Sequence, residues 1–308
     1  MSYTRAVDKV LIVRLWSLML TMSGAFGVLT GVLQGSLWRQ WLIAILAVVM
    51  VPAVAVEPIT YITVPRTGDV PTGQNKYFIE LLQLALDKTA NTDGEAQIRF
   101  YDYSLTSSRL MSDLEHTKTI DVVWNGTNAE REEILFPIKI SLLKRLNGYR
   151  VLLIRKEDQA SFSRVQTLAD LRKFRAGSGA DWPSTELLRN NDLPLLTASK
   201  KTLLFSMLKA RRFDYMTRNL CEVWEEADEL KKDGIVIEQE LLLHSGIPFY
   251  FFVSRDNPAL AARIQRGLEI ASKDGSFDKL FNETPCFQQG MQELVSHKRR
   301  VLRLDPTK

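Results

Sequence analysis

Arg131 stands just beyond the end of an apolar strand, where an open α/β sheet can place a ligand contact. An apolar run, Ile120, Val122 and Val123, reads as a buried strand, Asn125-Gly126 ends it, and Ala129-Glu130-Arg131 opens a helical turn. Open α/β sheets bind ligands outside the carboxyl ends of their strands, so Trp124, Asn125, Gly126 and Arg131 form one candidate cluster. The plain alternative is a solvated arginine ringed by Glu130, Glu132 and Glu133. A second cluster is the segment RAGSGADWPSTELLR, where Gly177, Ser178 and Gly179 lie between a strand and a helix starting at Asp181 to Pro183. Free backbone N–H groups and the helix dipole there suit an anion. An ordinary loop that needs glycine for its backbone angles reads equally well, and no Gly-Lys-Ser/Thr follows to make a nucleotide loop. Trp124 and Trp182, each at a strand-to-helix junction, are candidates for pocket walls, with Tyr61, Tyr101 and Tyr103 behind them.

Catalytic chemistry has little to rest on. His116, His244 and His297 are scattered, with no pair at metal-binding spacing. Ser178 lacks a nucleophile-elbow frame and an identifiable histidine partner. Glu130, Asp181 and Asp214 are the acids nearest the candidate site, none with an evident partner. Cys221 and Cys286, 65 residues apart and without a CxxC, exclude a thiolate zinc site. They are able to pair in an oxidising compartment, but a small buried hydrophobe on a helix face is the expected role of Cys221. No cofactor is implied.

Alternating elements must position these residues. From Ile59, ITYITV, a helix over 74–90, AQIRFYDY, a helix over 104–118 and IDVVW spell βαβαβ, hence right-handed crossovers and a parallel sheet. Phe78, Leu81, Leu82, Ala85 and Leu86 form a helical stripe assigned to the core. A second α/β unit follows Gly148, running through YRVLLI, LPLLTAS, FDYMT and IVIEQELLL with helices between. Tyr215 in FDYMT is expected to divide between core and surface. The chain then returns through PFYFFVSRD, and Asn257-Pro258 signals a capped helix start with Leu260, Ile264 and Leu268 on one face. A unit entered by one strand and left by another implies two crossings, near Leu142 to Gly148 and Ser245 to Phe249, and so a hinge with a cleft between lobes.

The chain of 308 residues is long enough for two domains, and its 45% hydrophobic and 25% charged residues are ordinary globular composition. The net charge of +4 is largely N-terminal: residues 1–55 hold Arg5, Lys9, Arg14 and Arg39 against Asp8, leaving about +1 for the remainder and no reason to expect nucleic acid. LWRQWLIAILAVVMVPAVAVEP has a basic flank, an apolar run, Pro52 and Ala53-Val54-Ala55, the pattern of a signal peptide cleaved after Ala55. A membrane anchor is the rival, although about a dozen apolar residues before the proline fall short of the roughly 20 a span needs. For Leu15 to Trp38 two readings stand: a transmembrane helix, or a start called too far upstream, with residues 1–31 an extension. The basic run HKRRVLRL at the other end reads as a solvated tail.

The strand ending in Gly126 with its Ala-Glu-Arg turn, the glycine loop of 177–179, FDYMTRN, and the closing RIQRGLEIASKDGSFDKLF resemble, as an ordered set over residues 58–285, the family 3 bacterial extracellular solute-binding proteins that serve amino-acid ABC importers. The resemblance implies a type II periplasmic-binding-protein fold, α/β and two-lobed, each lobe a mainly parallel sheet flanked by helices, with two hinge crossings. Residues 56–145 and 247–308 would form lobe 1 and residues 146–246 lobe 2. It implies that Arg131 holds a ligand carboxylate and that Gly177 to Gly179 face it from the second lobe. The family commonly has an acid for the ligand ammonium at the place that falls on Asn219, beside Arg218. That departure disfavours an α-amino acid and, if Arg218 faces the cleft, favours a ligand with more than one acidic group. The expectation is a periplasmic monomer that closes around a small polar, anionic solute and works with an ABC permease or a membrane sensor. A periplasmic dehydratase-like enzyme on the same scaffold is the alternative.

Overall fold

The computed structural model describes residues 59–66, 71–102, 107–296 and 298–306. The expected signal peptide, the upstream extension, Tyr103 and His297 lie outside these residues. From Glu57 onward the chain forms one compact unit.

The first lobe is built on β1 (Thr60–Val64), α1 (Gly73–Lys88), α2 (Ala90–Asp93), β2 (Ala96–Phe100), α3 (Ser107–Ser112), β3 (Val122–Gly126), α4 (Ala129–Ile134) and β4 (Leu135–Ile138). β1 and β2 pair in parallel, and the Asp121 N–H donates to the Thr63 carbonyl at 2.8 Å, which seats β3 on the other side of β1. β11 (Phe249–Ser254), the returning strand, runs antiparallel between β3 and β4. The predicted stripe on α1 is buried throughout. It packs against α10 (Pro258–Lys273), whose N-cap is Asn257, its side chain accepting from the Leu260 N–H, as the Asn-Pro signal requires.

The α1–α10 contact is set by Gly267: a Cβ there would lie 2.0 Å from the Ala85 carbonyl oxygen. Backbone, unlike a flexible side-chain tip, cannot step aside cheaply, so Gly267→Ala is expected to cost about 3 kcal/mol of stability, the upper part of the usual overpacking range. Urea unfolding checks this; a change below about 0.5 kcal/mol, the size typical of a surface substitution, would mean the helices separate freely. Arg263 ties the same helices together, donating from Nη2 to Gly94 O at 2.6 Å and from Nε to Thr89 Oγ1 at 3.0 Å. Its charge also offsets the negative end of the α1 dipole.

The second lobe carries β5 (Tyr149–Arg155), α5 (Gln159–Phe162), α6 (Leu168–Leu171), β6 (Ala176–Gly179), α7 (Pro183–Asn190), β7 (Leu195–Ala198), α8 (Lys201–Lys209), β8 (Tyr215–Asn219), α9 (Glu222–Lys232), β9 (Ile235–Ile237) and β10 (Leu241–His244). Its sheet has the order β12-β10-β5-β8-β6-β7, where β12 is Arg300–Arg303, with β9 also on β5. β7, β6 and β8 run parallel, and the crossing strand β5 is antiparallel to β8 and β10. The hinge glycines meet: Gly148 and Gly246 have φ of +71° and +66°, and a Cβ on Gly148 would lie 2.6 Å from the Gly246 nitrogen.

Four expectations differ from the structure. The chain does not end in the first lobe: after α11 (Ser276–Glu283) and α12 (Pro285–Val295), β12 (Arg300–Arg303) joins the second sheet beside β10. The basic tail is therefore an ordered strand, because Leu302 and Leu304 are buried with Leu241 and Leu243. Cys221 and Cys286 form a disulfide, with Cα atoms 4.7 Å apart, and Cys221 is the N-cap of α9, not a residue on a helix face. Tyr215 is wholly buried rather than divided between core and surface, packing edge-on to Phe162.

Candidate functional site

A cavity of about 480 Å³ opens between the lobes, lined by the ends of β3 and α1 on one side, α7 and the β8–α9 junction on the other, and the hinge behind. Of the residues singled out from the sequence it brings together Trp124, Asn125, Gly126, Trp182, Arg218 and Asn219. Arg131, Gly177, Ser178 and Gly179 are not on its lining.

The glycine loop has a local explanation. A Cβ on Gly177 would stand 2.2 Å from the Phe213 ring, and one on Gly179 would stand 2.4 Å from the Trp182 indole nitrogen. Both glycines let a ring lie against the backbone, and Gly179 thereby turns Trp182 toward the cavity. Ser178 is buried and accepts from Thr185 Oγ1 at 2.7 Å. At the α7 start the cavity is met instead by Ser184, one residue past Pro183.

Arg131 sits one layer back. Asn128 caps α4 by accepting the Arg131 N–H at 2.8 Å, and Arg131 Nη1 donates to the Gly126 carbonyl. Its Nε is buried with no partner among the described residues. Burial pulls the guanidinium below the usual arginine range, opposed by Glu186 and Glu130. Glu186 belongs to α7 of the second lobe, and Asn128 Nδ2 reaches it at 3.4 Å, so this corner is where the lobes meet at the mouth.

Arg218 faces the cavity but is already neutralised. Its Nε and Nη2 form a fork on Glu226 at 2.9 and 2.7 Å, its Nη1 is 3.1 Å from Glu222, and Trp182 lies over it at 5.1 Å. Lys201 shares Glu226 at 2.7 Å. Asn219 Oδ1 accepts the N–H groups of Cys221 and Glu222 at 3.0 and 2.8 Å, capping α9. With that oxygen used, the amide presents only donors to a ligand.

Sequence reasoning missed Arg150 and Glu222, which also line the cavity. Arg150 is on β5 opposite Asn219, and its Nε donates to Thr217 Oγ1 at 3.1 Å. Burial lowers its pKa to about 10, with Glu222 pulling it up and Arg218 pushing it down. An arginine inside the apolar run YRVLLI was the available signal, since a charge on a strand flanked by buried residues needs a partner or a ligand. Phe78, assigned to the core, is fully buried by the protein and still forms part of the cavity wall, stacked on Phe249 at 5.1 Å. Tyr61 is half-exposed on β1 and, like Tyr101, lines no part of the cavity; Glu130, Asp181 and Asp214 do not either.

No protein-family model matches the sequence, and no curated protein matches it. Solved structures do. An ancestral arginine-binding protein bound to arginine is similar at 18% identity and a TM-score of 0.54, over 74% of this chain and 99% of that one. An ancestral amino-acid-binding protein described as a precursor of cyclohexadienyl dehydratase is similar at 14% identity and a TM-score of 0.52, over 73% of this chain and 95% of that one. A histidine kinase sensor domain with similarity to periplasmic binding proteins gives 16% identity and a TM-score of 0.52, over 73% and 95%. The chain therefore has the two-lobed α/β fold of type II periplasmic binding proteins.

Proposed function

We propose that the protein is a periplasmic solute-binding protein that closes around a small carboxylate-bearing solute, for ABC-type uptake or for ligand sensing. The observation that carries this reading is the charge of the cavity: among the described residues, Arg66, Arg150, Lys201 and Arg218 line it against a single acid, Glu222. Glu226 offsets part of that charge through Arg218 and Lys201, and a cationic surplus remains to favour an anion. Walls from both lobes mean that a ligand makes its full contacts only in the closed state, so binding shifts the population toward closure. Arg131, with its buried Nε awaiting an acceptor, is the first-lobe donor in this scheme, and Asn219 and Ser184 supply donors from the second. The Cys221–Cys286 bridge supports an oxidising compartment, in line with the expected signal peptide.

Binding is favoured over catalysis because Glu222, the one lining acid among the described residues, already shares a carboxylate oxygen with Arg218. A general base needs a free acceptor aimed at its substrate. The similar proteins named above include both a binding protein and a sensor domain, which supports uptake and sensing alike. Thermal-shift screening of residues 56–308 against amino acids, dicarboxylates and aromatic acids, followed by small-angle scattering, tests the reading. A stabilising ligand should also reduce the radius of gyration. A tight ligand without compaction would remove the closing mechanism, and no ligand from any class would remove the binding function.

A further inference from the structure

We propose that the cavity takes an aromatic carboxylate lacking an α-ammonium group, with its acid gripped by the two Nη groups of Arg150 and its ring beside Trp124 and Trp182. This rests on the binding reading above and goes further by naming the ligand class and the anchor. Most of the lining cations are already paired. Arg218 is saturated by Glu222 and Glu226, Lys201 is on Glu226, and Arg66 stands 4.0 Å from Asp102 at the rim. Arg150 has one hydrogen bond, from Nε to Thr217, and both its Nη groups have no partner among the described residues. That leaves the planar two-donor fork that matches a carboxylate. Burial disfavours its charge, as the pKa near 10 records, and an anion seated on it would relieve that cost.

The surroundings select against an ammonium. Asn219 turns donors inward because its oxygen caps α9, and Glu222 has one oxygen on Arg218. A ligand group that accepts hydrogen bonds fits beside Arg150, and a cationic group would meet Arg150 and Arg218 within the same wall. Apolar and aromatic side chains share the rest of the wall with Gln74, Asn75, Asn125, Ser184 and Ser245. Trp124 is backed by Phe78 at 5.8 Å, and Trp182, Leu187 and Ile247 also line the cavity. A volume of about 480 Å³ lies within the range of roughly 300–1,000 Å³ for sites that enclose drug-sized ligands, which matches a ring-bearing acid better than a small polar one.

The test pairs ligands that differ by one group. Calorimetry on residues 56–308 compares 3-phenylpropionate with phenylalanine and indole-3-acetate with tryptophan, with succinate as the small-anion arm. The deaminated acids are expected to bind at least about tenfold more tightly than their amino-acid counterparts, as an unfavourably placed ammonium of about 1.4 kcal/mol would give. Arg150→Met keeps the stem and volume and should weaken the aromatic acids by at least about thirtyfold, while the ligand-free protein melts at the same temperature or higher. Arg150→Lys keeps the charge, guards against a folding defect in the first variant, and should still lose about tenfold. Equal or better binding of the amino acids, or preference for succinate, overturns the ligand class and leaves the binding reading intact. Aromatic acids that bind both variants as tightly as wild type overturn Arg150 as the anchor. No binding by any arm overturns both.

Discussion

Reducing the Cys221–Cys286 bridge should lower the stability of the protein by about 4 kcal/mol, the loop-entropy value for closing a loop of this length. The bond joins the end of β8 to the first turn of α12, and α12 touches both lobes. Phe287 packs at 4.6 Å on Tyr77 of α1, while a Cβ on Gly290 would sit 3.1 Å from Leu220 beside β8. Loss of the bridge therefore frees the strap that carries the chain from the first lobe to β12 in the second. Urea unfolding with and without dithiothreitol, set beside a Cys221→Ala, Cys286→Ala double variant, measures the effect. Identical midpoints in all three samples would mean the thiols do not pair in solution. Near-native circular dichroism in the reduced protein is expected, because each lobe keeps its own sheet.

Local pattern carried much of this architecture. The α1 stripe, the order of β1, β2 and β3, the Asn257 cap and the second-lobe run of strands and helices all follow from periodicity and from signals that lie within a few residues of their effect. What the sequence did not reveal depends on distant partners. β12 is short and basic, and only its place over Leu241 and Leu243 makes Leu302 and Leu304 core residues. Cysteine pairing needs two segments 65 residues apart to meet, which spacing alone does not report. For the site the same division holds. Trp124 and Trp182 were legible because strand-to-helix junctions face the cleft. Gly177 and Gly179 carried a double signal, and the rings of Phe213 and Trp182 decide it in favour of packing. Arg218 looked free because its carboxylates come later in the chain. Glu222 and Glu226, one turn apart at the start of α9, were the available clue. Arg150 was hidden by the strength of the strand pattern around it, and only the register opposite Asn219 shows which way it points.

Arg131→Ala should weaken ligand binding by about 2–5 kcal/mol, the range for truncating one member of a buried, hydrogen-bonded charge pair, and leave folding almost unchanged. The case rests on the asymmetry of its contacts. One nitrogen holds the Gly126 carbonyl, at the end of the strand that lines the cavity, while Nε is buried without an acceptor among the described residues. A donor left in that state costs roughly 1–3 kcal/mol, so its removal offsets the lost hydrogen bond to Gly126 and the net effect on the ligand-free protein is small. In the closed, liganded protein the same donor supplies a first-lobe contact to the carboxylate that Arg150 grips from the second lobe, and that contact disappears in the variant. Arg131→Lys separates geometry from charge: an ammonium keeps the attraction to Glu186 at the mouth but not the fork, so it should also bind poorly. Calorimetry with the strongest ligand from the screen, alongside urea unfolding, decides between the roles. Native affinity in both variants would place Arg131 outside the site, as a strut for Gly126 alone. A loss of stability as large as the loss of affinity would make it a structural residue whose effect on binding is indirect.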